Sequence, residues 1–414
     1  MISRREVLAA TAAGAAMTTM TARAASFGNP DVPPQGAMNA KNLASVTDPG
    51  PQSLAIARQF ASAASPPPTD IGSLPMNWAS FNNAPRRIQN GGWARQVTQA
   101  DFAISETISG VNMRLAAGGI RELHWHLAAE WAYMTYGSCR VTVLDPIGRP
   151  YVADVKEGDL WYFPAGYPHS LQGLGPDGCE FVICFDNGEA NEFNTLLLTD
   201  WLAHTPPAVL AQNFGVPVDT FAKIPLNNLW IFQGKVPGAL SVDQASVSRN
   251  AGAPPQPFTF PLGSMAATRE TKSGEVRVAD SSNFSASTTV AAALVTVRPG
   301  AMREMHWHPN ADEWQYYIKG KARMTVFNTG PNVRTTDFNP GDIGYVKRNH
   351  GHLVQNVGDT DMQFLAVFRA PRYEDISLTD WLTHTPPELV TQHLNVDETT
   401  IAKWPNDRPT VVPE

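Results

Sequence analysis

The feature that most constrains this chain is a histidine-rich motif that occurs twice. Residues 118–137 read GGIRELHWHLAAEWAYMTYG, and residues 300–320 read GAMREMHWHPNADEWQYYIKG. A second motif follows each copy, GDLWYFPAGYPHS from Gly158 and GDIGYVKRNHGHL from Gly341. Each pair of motifs collects three histidines and one glutamate: His124, His126, Glu130 and His169 in the first, and His306, His308, Glu313 and His352 in the second. Such a set of nitrogen and oxygen ligands is typical of a mononuclear metal site, and its duplication argues against chance.

The spacing of the histidines fits a β-strand. Side chains alternate faces along a strand, so His124 and His126 point to the same side. The same holds for His306 and His308 in the second copy. The glutamates follow the second histidine at spacings of four and five residues, so a turn or bulge must redirect them. Arg121 lies three residues before its first histidine, as does Arg303 in the second copy. Because three is odd, a bulge is also needed if these arginines are to face the metal.

The duplication extends well beyond these motifs. TDWLAHTPPAVLAQNF from Thr199 recurs as TDWLTHTPPELVTQHL from Thr379. A nearly constant register over about a hundred residues indicates gene duplication, because solenoid repeats have much shorter periods. We therefore divide the chain into a signal segment (1–24), an extended N-terminal arm (25–84), an N-terminal barrel (85–225), a connection (226–262) and a C-terminal barrel (263–414).

Both units have the pattern of β-structure. VNMRL, WAYMTYG, CRVTVLD, DLWYFPA and EFVICFD in the first unit are short, rich in aromatic and β-branched residues, and bounded by Gly, Pro or Asp. Only the duplicated TDWL segment has a helical pattern, with Thr199 and Thr379 as candidate N-caps. These patterns predict an all-β protein of two tandem jelly-roll barrels with a few short helices. A barrel points alternate side chains inward, which suits a buried metal.

Charge and composition exclude several classes of partner. The chain has 31 Lys and Arg against 38 Asp and Glu, a formal net charge of −7 and no basic run, so we expect neither nucleic acid nor an anionic membrane as partner. No apolar run after residue 24 approaches the roughly 18 residues that a membrane span needs. We expect buried thiols and no disulfide framework from the three cysteines, which are Cys139, Cys179 and Cys184.

The first 24 residues have the features of an export signal. They combine a basic start, an alanine-rich stretch and an A-x-A site at residues 22–24. The pair Arg4 and Arg5, followed by EVL, resembles a twin-arginine signal. A generic secretory signal or a helical tail is the alternative. We expect the mature protein to be periplasmic or secreted.

The two motif pairs resemble those of the cupins. The first pair follows Gly-x5-His-x-His-x3-Glu-x6-Gly and then Gly-x5-Pro-x-Gly-x2-His, whereas Lys347 and Asn349 replace the proline and glycine of the second pair. Among two-barrel cupins, IRELHWH, EWAYMTYG, GDLWYFP and LTDWLAHTP are similar to the oxalate decarboxylases, over most of residues 70–400. The resemblance implies two manganese ions per chain and cleavage of oxalate to formate and carbon dioxide, with dioxygen as a co-catalyst. It also implies a homo-oligomer, a trimer or a hexamer.

The resemblance assigns roles around the first barrel. A flexible lid in that family carries an essential glutamate, which matches Glu192 in the segment 191–195, although Phe193 replaces the polar residue usual there. We expect Glu192 to transfer a proton and Arg121 to bind the substrate carboxylate as a fixed positive fork. The other pocket walls that we expect are Trp161, Ile183 and Phe185.

The second barrel lacks these groups. APRYEDISLTDWL follows its last predicted strand directly, and Ala366 stands where some family members carry a second glutamate. We therefore expect the first barrel to be catalytic and the second metal to be structural or supportive. Imidazole and carboxylate without thiolate suit Mn or Fe, and leave Zn and Ni open.

Three other functions remain open from the sequence. An oxalate oxidase shares the metal ligands but releases hydrogen peroxide, and the lid glutamate argues against it. A ring-cleaving dioxygenase would leave the combination of arginine and glutamate unexplained. A non-catalytic metal-binding or storage bicupin belongs to another class, but storage relatives typically lose the ligands that both copies keep here.

Overall fold

Both predicted barrels are present in the structure, a computed structural model that describes residues 50–247, 249–330, 332–407 and 410–413. The fold is mainly β with a few short helices, as predicted. The expected signal segment and the arm up to residue 49 lie outside the described residues. Within the described part of the chain, every helix is too short or too polar to cross a membrane.

One large antiparallel sheet builds the N-terminal barrel. Its main path runs β11-β5-β9-β6-β10-β4-β3-β2, while β7 and β8 pair with β6, β12 pairs with β5, and β13 pairs with β8. The strands up to the second barrel are β1 (Trp78–Ser80), β2 (Arg87–Gln89), β3 (Gly92–Val97), β4 (Ser109–Leu115), β5 (Gly119–Trp125), β6 (Glu130–Leu144), β7 (Pro150–Lys156), β8 (Leu160–Phe163), β9 (His169–Gly173), β10 (Cys179–Phe185), β11 (Leu196–Leu197), β12 (Ile231–Gln233) and β13 (Thr259–Phe260).

Two sheets build the C-terminal barrel. One has the order β1-β21-β18-β23-β16-β15-β14, and the other has the order β20-β19-β22-β17-β24 with β25 paired to β17. The strands are β14 (Arg269–Thr271), β15 (Gly274–Ala279), β16 (Ala291–Val297), β17 (Met302–Trp307), β18 (Glu313–Lys319), β19 (Ala322–Asn328), β20 (Asn332–Phe338), β21 (Asp342–Val346), β22 (Gly351–Asn356), β23 (Met362–Phe368), β24 (Ile376–Ser377) and β25 (Val411–Val412).

The helices are short and lie mainly in the segments that follow β11 and β24. They are α1 (Leu54–Gln59), α2 (Ala61–Ala64), α3 (Leu198–Ala203), α4 (Pro207–Phe214), α5 (Leu240–Ser246), α6 (Leu378–Thr383), α7 (Pro387–Leu394) and α8 (Glu398–Ile401). Single 3-10 turns cover Phe81–Asn83, Glu192–Asn194, Val218–Phe221 and Leu262–Ser264.

The prediction of Thr199 and Thr379 as N-caps is wrong. The N-cap of α3 is Leu197, which makes no side-chain capping bond. The N-cap of α6 is Ser377, whose hydroxyl accepts the backbone N–H of Asp380. Both helices therefore begin one residue before the threonine, so each threonine lies inside the first turn. The Thr199 hydroxyl instead donates to a buried carboxylate beside the first site.

Each barrel takes strands from outside its own predicted segment. β1 belongs to the predicted arm, yet Trp78 pairs with Gly344 in the C-terminal barrel. β13 belongs to the predicted connection, yet Thr259 pairs with Trp161 in the N-terminal barrel. The two additions occupy equivalent edges, because β21 and β8 are equivalent strands of the duplicated unit. The arm and the connection therefore tie the barrels together.

A motif glycine allows the long strand β6 to change partners. Its first half pairs with β10 and β8, and its second half pairs with β7 and β9. Gly137 lies at the junction with φ of 70°, a left-handed conformation that favours glycine. A Cβ there would lie 2.1 Å from the Gly178 carbonyl oxygen, so no larger residue fits. Gly320 has φ of 77° at the same junction in the second barrel.

The hydrophobic core runs through both barrels. One cluster combines first-barrel residues such as Trp131 and Phe181 with Trp314 and Leu365 of the second barrel. A second cluster fills the rest of the C-terminal barrel. The three cysteines are free and buried, as expected for small apolar side chains.

Candidate metal centres and active-site cavity

The four predicted ligands of the first barrel meet at one point. His124 lies near the end of β5 and His126 directly follows it, while β6 begins at Glu130 and β9 begins at His169. His124 and His169 are direct partners across β5 and β9. One donor atom of each of the four side chains lies within 4.8 Å of the others, and all four residues are buried. The bend between β5 and β6 thus redirects the glutamate, as the spacing required.

Hydrogen bonds orient all three imidazole rings of this cluster. The contacts from Nδ1 are His124 to the Glu122 carbonyl (2.5 Å), His169 to the Tyr167 carbonyl (2.8 Å) and His126 to the Thr195 hydroxyl (3.3 Å). Because a carbonyl oxygen only accepts, Nδ1 of His124 and of His169 carries the proton, and Nε2 of each is left with a lone pair. The buried Nε2 atoms of His126 and His169 have no hydrogen-bond partner. Such converging unpaired nitrogens fit a metal ion.

The carboxylate of Glu130 is also oriented. Its Oε1 accepts a hydrogen bond of 2.8 Å from Nε1 of Trp161. Its Oε2 lies 3.2 Å from Nε2 of His126 and 3.3 Å from Nε2 of His169. One oxygen is therefore held by the indole, and the other faces the histidines as a ligand would.

The ionisation of these groups suits metal binding. Burial lowers the pKa of His126 to about 4, although Glu130 opposes the shift. Burial, together with the positive charge of Arg121, also lowers the pKa of His124 well below its usual value. Burial alone would raise the pKa of Glu130, but His169 and His126 outweigh it and hold the pKa below its usual range. Neutral imidazole and ionised carboxylate are the forms that bind a metal.

These shifts predict that the metal-free protein loses stability as the pH falls from 7 to 5. An unfolded histidine takes up its proton near pH 6.5, whereas folded His126 does so only near pH 4. The unfolded state therefore binds more protons in this interval, and stability must fall with pH. We expect His126 alone to cost about 2 kcal/mol, measured by urea unfolding of chelator-treated protein at both pH values. A stability that is constant or rises towards pH 5 would contradict the buried neutral histidines.

The second barrel holds an equivalent cluster. One donor atom each of His306, His308, Glu313 and His352 again lies within 4.8 Å of the others. The Nδ1 atoms face the carbonyls of Glu304 (2.7 Å), Glu374 (2.7 Å) and His350 (3.1 Å). Oε2 of Glu313 and the Nε2 atoms of His308 and His352 are buried without a hydrogen-bond partner. Here Gln315 takes the place of the indole and donates to Oε1 of Glu313 at 3.0 Å.

Each of the two clusters fits one divalent ion. With metal–ligand bonds of about 2 Å, two ligands on opposite sides of one ion lie about 4 Å apart. Three imidazoles and one carboxylate form a borderline-hard donor set, suited to ions of the Mn and Fe type. Each set leaves up to two octahedral positions for small ligands.

A small cavity lies over the first cluster. Its volume is about 10 Å³, and its walls are Val111, Met113, Arg121, His124, His126, Glu130, Leu171, Ile183, Phe185 and Glu192. The structure thus brings Arg121, Ile183, Phe185 and Glu192 together with the metal ligands. The expectation that Trp161 lines the pocket is wrong, because its indole lies behind Glu130. With the Glu192 turn in this position, the cavity has room for about one water molecule.

Arg121 faces this cavity because of the bulge that the sequence required. The pairing of β5 with β9 shifts register between Arg121 and His124. The guanidinium is 2% exposed, and its Nη1 donates to the Trp230 carbonyl at 3.2 Å. Neighbouring Glu122 points elsewhere, because its carboxylate accepts from the Thr199 hydroxyl (2.7 Å) and the Trp230 backbone N–H (2.6 Å). Burial lowers the pKa of Arg121, which Glu192 opposes.

Glu192 is buried in the 3-10 turn after β10. The turn closes on itself through a capping box between Asn191 and Asn194. The backbone N–H of Glu192 donates to Gln96 at 3.0 Å. Its Oε2 accepts from Arg87, and its Oε1 is buried without a hydrogen-bond partner. A carboxylate oxygen therefore remains unpaired beside the cavity.

The second barrel neutralises its equivalent arginine. Arg303 Nη2 donates to Asp375 at 2.5 Å and to the Tyr373 hydroxyl at 3.2 Å, and Nη1 contacts Glu304 at 3.2 Å. Burial would lower the pKa of Arg303, but Tyr373 and Asp375 outweigh it and raise the pKa. Among the described residues, no carboxylate lies within ion-pair distance of Arg121. Of these two arginines, only Arg121 is therefore left without an ion-pair partner in the described part of the chain and free to pair with a bound carboxylate.

Two neighbours of Glu192 and Arg121 were not expected from the sequence. Arg87 comes from β2, and Trp230 comes from the connection before β12. The Trp230 ring lies under both guanidinium groups, 4.7 Å from Arg87 and 5.4 Å from Arg121. Its backbone φ of 56° is a left-handed conformation that is unusual for an aromatic residue. Nothing local in PRRIQN or NNLWIF marks either residue, because only the closed barrel brings these segments to the site.

Comparison with known proteins agrees with this architecture. A family model described as Cupin matches residues 79–220 and 262–402. The oxalate decarboxylase OxdC of Bacillus subtilis is 49% identical over 346 residues, 84% of this chain and 89% of the relative. A probable oxalate decarboxylase of Arthroderma benhamiae is 38% identical over 341 residues, 80% of this chain and 81% of the relative.

A solved structure of Bacillus subtilis oxalate decarboxylase, a protein with Mn(II) centres, has the same fold. It superposes with a TM-score of 0.86 at 46% identity and covers 89% of this chain and 97% of the other. The match extends over both barrels, and both ligand sets are complete here. This chain therefore belongs to the cupin family, as a two-barrel member that groups with the oxalate decarboxylases.

Proposed function

We propose that this protein is an oxalate decarboxylase with one manganese ion in each barrel and dioxygen as a co-catalyst. Catalysis is assigned to the N-terminal barrel, residues 85–225. The observation that carries the proposal is the small cavity in which a His3Glu cluster faces a buried arginine and an unpaired glutamate oxygen. The decarboxylase names of the relatives and the Mn(II) centres of the Bacillus enzyme support the substrate and the metal.

The overall reaction moves one proton and breaks one bond. The hydrogen oxalate anion gives formate and carbon dioxide, so the C–C bond breaks and the carboxyl proton ends on carbon. Bound manganese would supply a Lewis-acidic and redox-active centre for this step. The protein must hold the dicarboxylate in one orientation, keep out bulk water, and carry the proton from oxygen to carbon.

Arg121 binds and polarises the substrate carboxylate. Its guanidinium is buried, lies in the cavity wall, and has no carboxylate partner within ion-pair distance among the described residues. A fixed positive fork in a water-poor site binds an anion more strongly than the same group in water. Ile183 and Phe185 belong to the apolar part of the wall and keep the site small.

Glu192 carries the proton. Its unpaired Oε1 accepts the proton of hydrogen oxalate and returns it to carbon after carbon dioxide has left. The turn Glu192–Asn194 covers the cavity. The proton is therefore not exchanged with bulk water during the step. If the proton is not returned to carbon, the competing reaction is oxidation. In that reaction hydrogen oxalate, dioxygen and one proton give two molecules of carbon dioxide and one of hydrogen peroxide.

Oxalate oxidase and a non-catalytic metal-binding bicupin are the alternatives. The oxidase reaction needs no proton return to carbon, so it leaves the buried Glu192 without a task. A non-catalytic bicupin leaves unexplained both the buried Glu192 and an Arg121 without an ion-pair partner among the described residues.

Product analysis separates these three functions. Manganese-loaded protein is incubated with oxalate in air, and formate, carbon dioxide and hydrogen peroxide are measured in parallel. We expect formate and carbon dioxide in equal amounts with little peroxide. Peroxide without formate would establish the oxidase, and no oxalate consumption by protein with both metals bound would establish the non-catalytic bicupin.

The second metal supports the structure. Because Arg303 is neutralised by Asp375 and Ala366 offers no carboxylate, this site lacks both a substrate anchor and a proton carrier. We expect Glu313→Ala to lower the second metal's occupancy and the melting temperature, while formate production per first-site manganese stays near wild type. The check is manganese content, thermal unfolding and turnover on the same sample. If a variant with a loaded first site lost all turnover, this division between the barrels would be wrong.

We also propose a homo-oligomer, a trimer or a hexamer, that is exported to the periplasm or secreted through residues 1–24. Large apolar side chains stay exposed on the helices of both barrels, including Trp201 (63%) and Trp381 (57%), and would be covered in an assembly. Light scattering of the purified protein tests the assembly. N-terminal sequencing of the mature protein tests removal of the signal.

A further inference from the structure

The closed turn that carries Glu192 has a single charged anchor among the described residues. Arg87 donates from Nη2 to Oε2 of Glu192 across 105 residues of sequence. The two side chains are 21% and 6% exposed, so the ion pair is largely shielded from water. Removing one partner of such a pair leaves a buried charge uncompensated, which is costly.

Arg87 is itself held in place. Its Nη1 donates to Gln89 on the same strand, and its guanidinium lies 4.7 Å from the centre of the Trp230 ring. That ring also contacts Phe193 of the turn edge-on, with the ring centres 5.9 Å apart. Arg87 and the turn therefore rest on one aromatic surface, and the arginine is presented to Glu192 in a fixed orientation.

The contact with Arg87 gives the two carboxylate oxygens of Glu192 different surroundings. Oε2 is bound by Arg87, whereas Oε1 is buried without a partner and Glu192 lines the cavity with Arg121 and the metal ligands. A carboxylate held at one oxygen presents the other in a defined direction. If the turn opened, Glu192 would exchange these contacts for water and leave the cavity.

The second barrel provides an internal comparison. Arg269 occupies the equivalent position, because Arg87 pairs with Ala94 in β3 and Arg269 pairs with Val276 in β15. Arg269 is exposed and has no ion pair among the described residues, and the second barrel has no 3-10 turn before β24. The buried arginine therefore occurs in the barrel that has the glutamate turn.

We propose that Arg87 is a positioning residue that latches the Glu192 turn closed and aims Oε1 into the cavity, and so directs turnover to formate rather than peroxide. This inference rests on the proposed function for its chemical consequence, but the latch itself is a statement about the turn. Arg87 acts through Glu192 and is not assigned any contact with substrate.

The latch is tested with Arg87→Ala, Arg87→Lys and the matched control Arg269→Ala. Hydrogen–deuterium exchange of a peptide covering residues 189–197 reports whether the turn is closed, with and without manganese. Arg87→Ala should exchange faster, since the Glu192 amide loses its protected bond to Gln96, and Arg87→Lys should lie between it and wild type. Arg269→Ala should exchange like wild type.

Product analysis gives the second readout. Groups that orient an active-site residue typically contribute about 10–100-fold, so kcat for formate should fall by this factor in Arg87→Ala. KM for oxalate should change little because Arg121 is untouched, and the peroxide-to-formate ratio should rise. Arg87→Lys should recover part of both effects at equal manganese content.

The outcomes separate the latch from the function. Wild-type exchange in both Arg87→Ala and Arg87→Lys would overturn the latch, whatever the products. Faster exchange with an unchanged formate-to-peroxide ratio would overturn the claim that the latch directs the reaction. Faster exchange in protein that makes no formate even as wild type would support the latch and reject the decarboxylase assignment.

Discussion

Replacing Glu192 by glutamine should lower formate production by about 10²–10⁴-fold, the usual contribution of a general acid–base group. Glutamine has the same shape and its amide oxygen can still accept from Arg87, and hydrogen–deuterium exchange of residues 189–197 checks that the turn stays closed. Arg121 and the metal ligands are unchanged, so oxalate should still bind. What is lost is the carboxylate that accepts the proton and returns it to carbon.

The products of the Glu192→Gln variant should also change. Without a proton carrier the reaction can still run to hydrogen peroxide and carbon dioxide, so the residual turnover should shift towards peroxide. The measurement is formate and peroxide at equal manganese content. Glu189→Gln is the matched control, because Glu189 is an exposed glutamate of the same segment outside the cavity wall. Near-normal formate from manganese-loaded Glu192→Gln would remove Glu192 from the mechanism.

Replacing His126 by alanine should remove the first metal and abolish formate production. His126 provides one of only four protein ligands, and its Nε2 is among the unpaired nitrogens that converge on the site. The loss of one ligand leaves three, and the buried Glu130 loses a neighbour that lowers its pKa. We expect manganese content to fall from two ions per chain to one, and formate to fall to background.

Metal analysis and thermal unfolding check the His126→Ala variant. Because a ligand that binds only the folded state stabilises it, added manganese should raise the melting temperature less than in wild type. His204→Ala is the control, since His204 is exposed and bonds only within its own helix and cap. A His126→Ala protein with two bound manganese ions and normal formate production would contradict the site assignment.

The metal ligands could be predicted because their geometry is local. His124 and His126 share a face through strand alternation alone, and one bend returns Glu130 to the same point. His352 needed the repeat for its assignment, because His350 lies only two residues before it. Only His352 joins the cluster, whereas His350 is half-buried outside it. Duplication thus substituted for the tertiary information that a single copy lacks.

The partners of the reactive groups could not be predicted in this way. Arg87 reaches Glu192 across 105 residues, and Trp230 contacts Arg121 across 109. The prediction that Trp161 lines the pocket was also wrong. A strand pattern gives the face on which a side chain lies, but not whether a metal ligand stands between that side chain and the cavity. The N-cap prediction for Thr199 was wrong for a similar reason, because its hydroxyl donates to the buried carboxylate of Glu122, a residue distant in sequence.

The sequence by itself determined the two barrels and their ligands, because period-two alternation and a repeated motif are properties of neighbouring residues. Only the tertiary structure decided that β1 and β13 are exchanged between barrels, that Arg303 is neutralised by Asp375, and that Arg121 is not. These features depend on which distant segments meet when the sheets close. These long-range contacts set the charge and the accessibility of each site. They therefore distinguish two barrels whose ligand motifs are nearly the same.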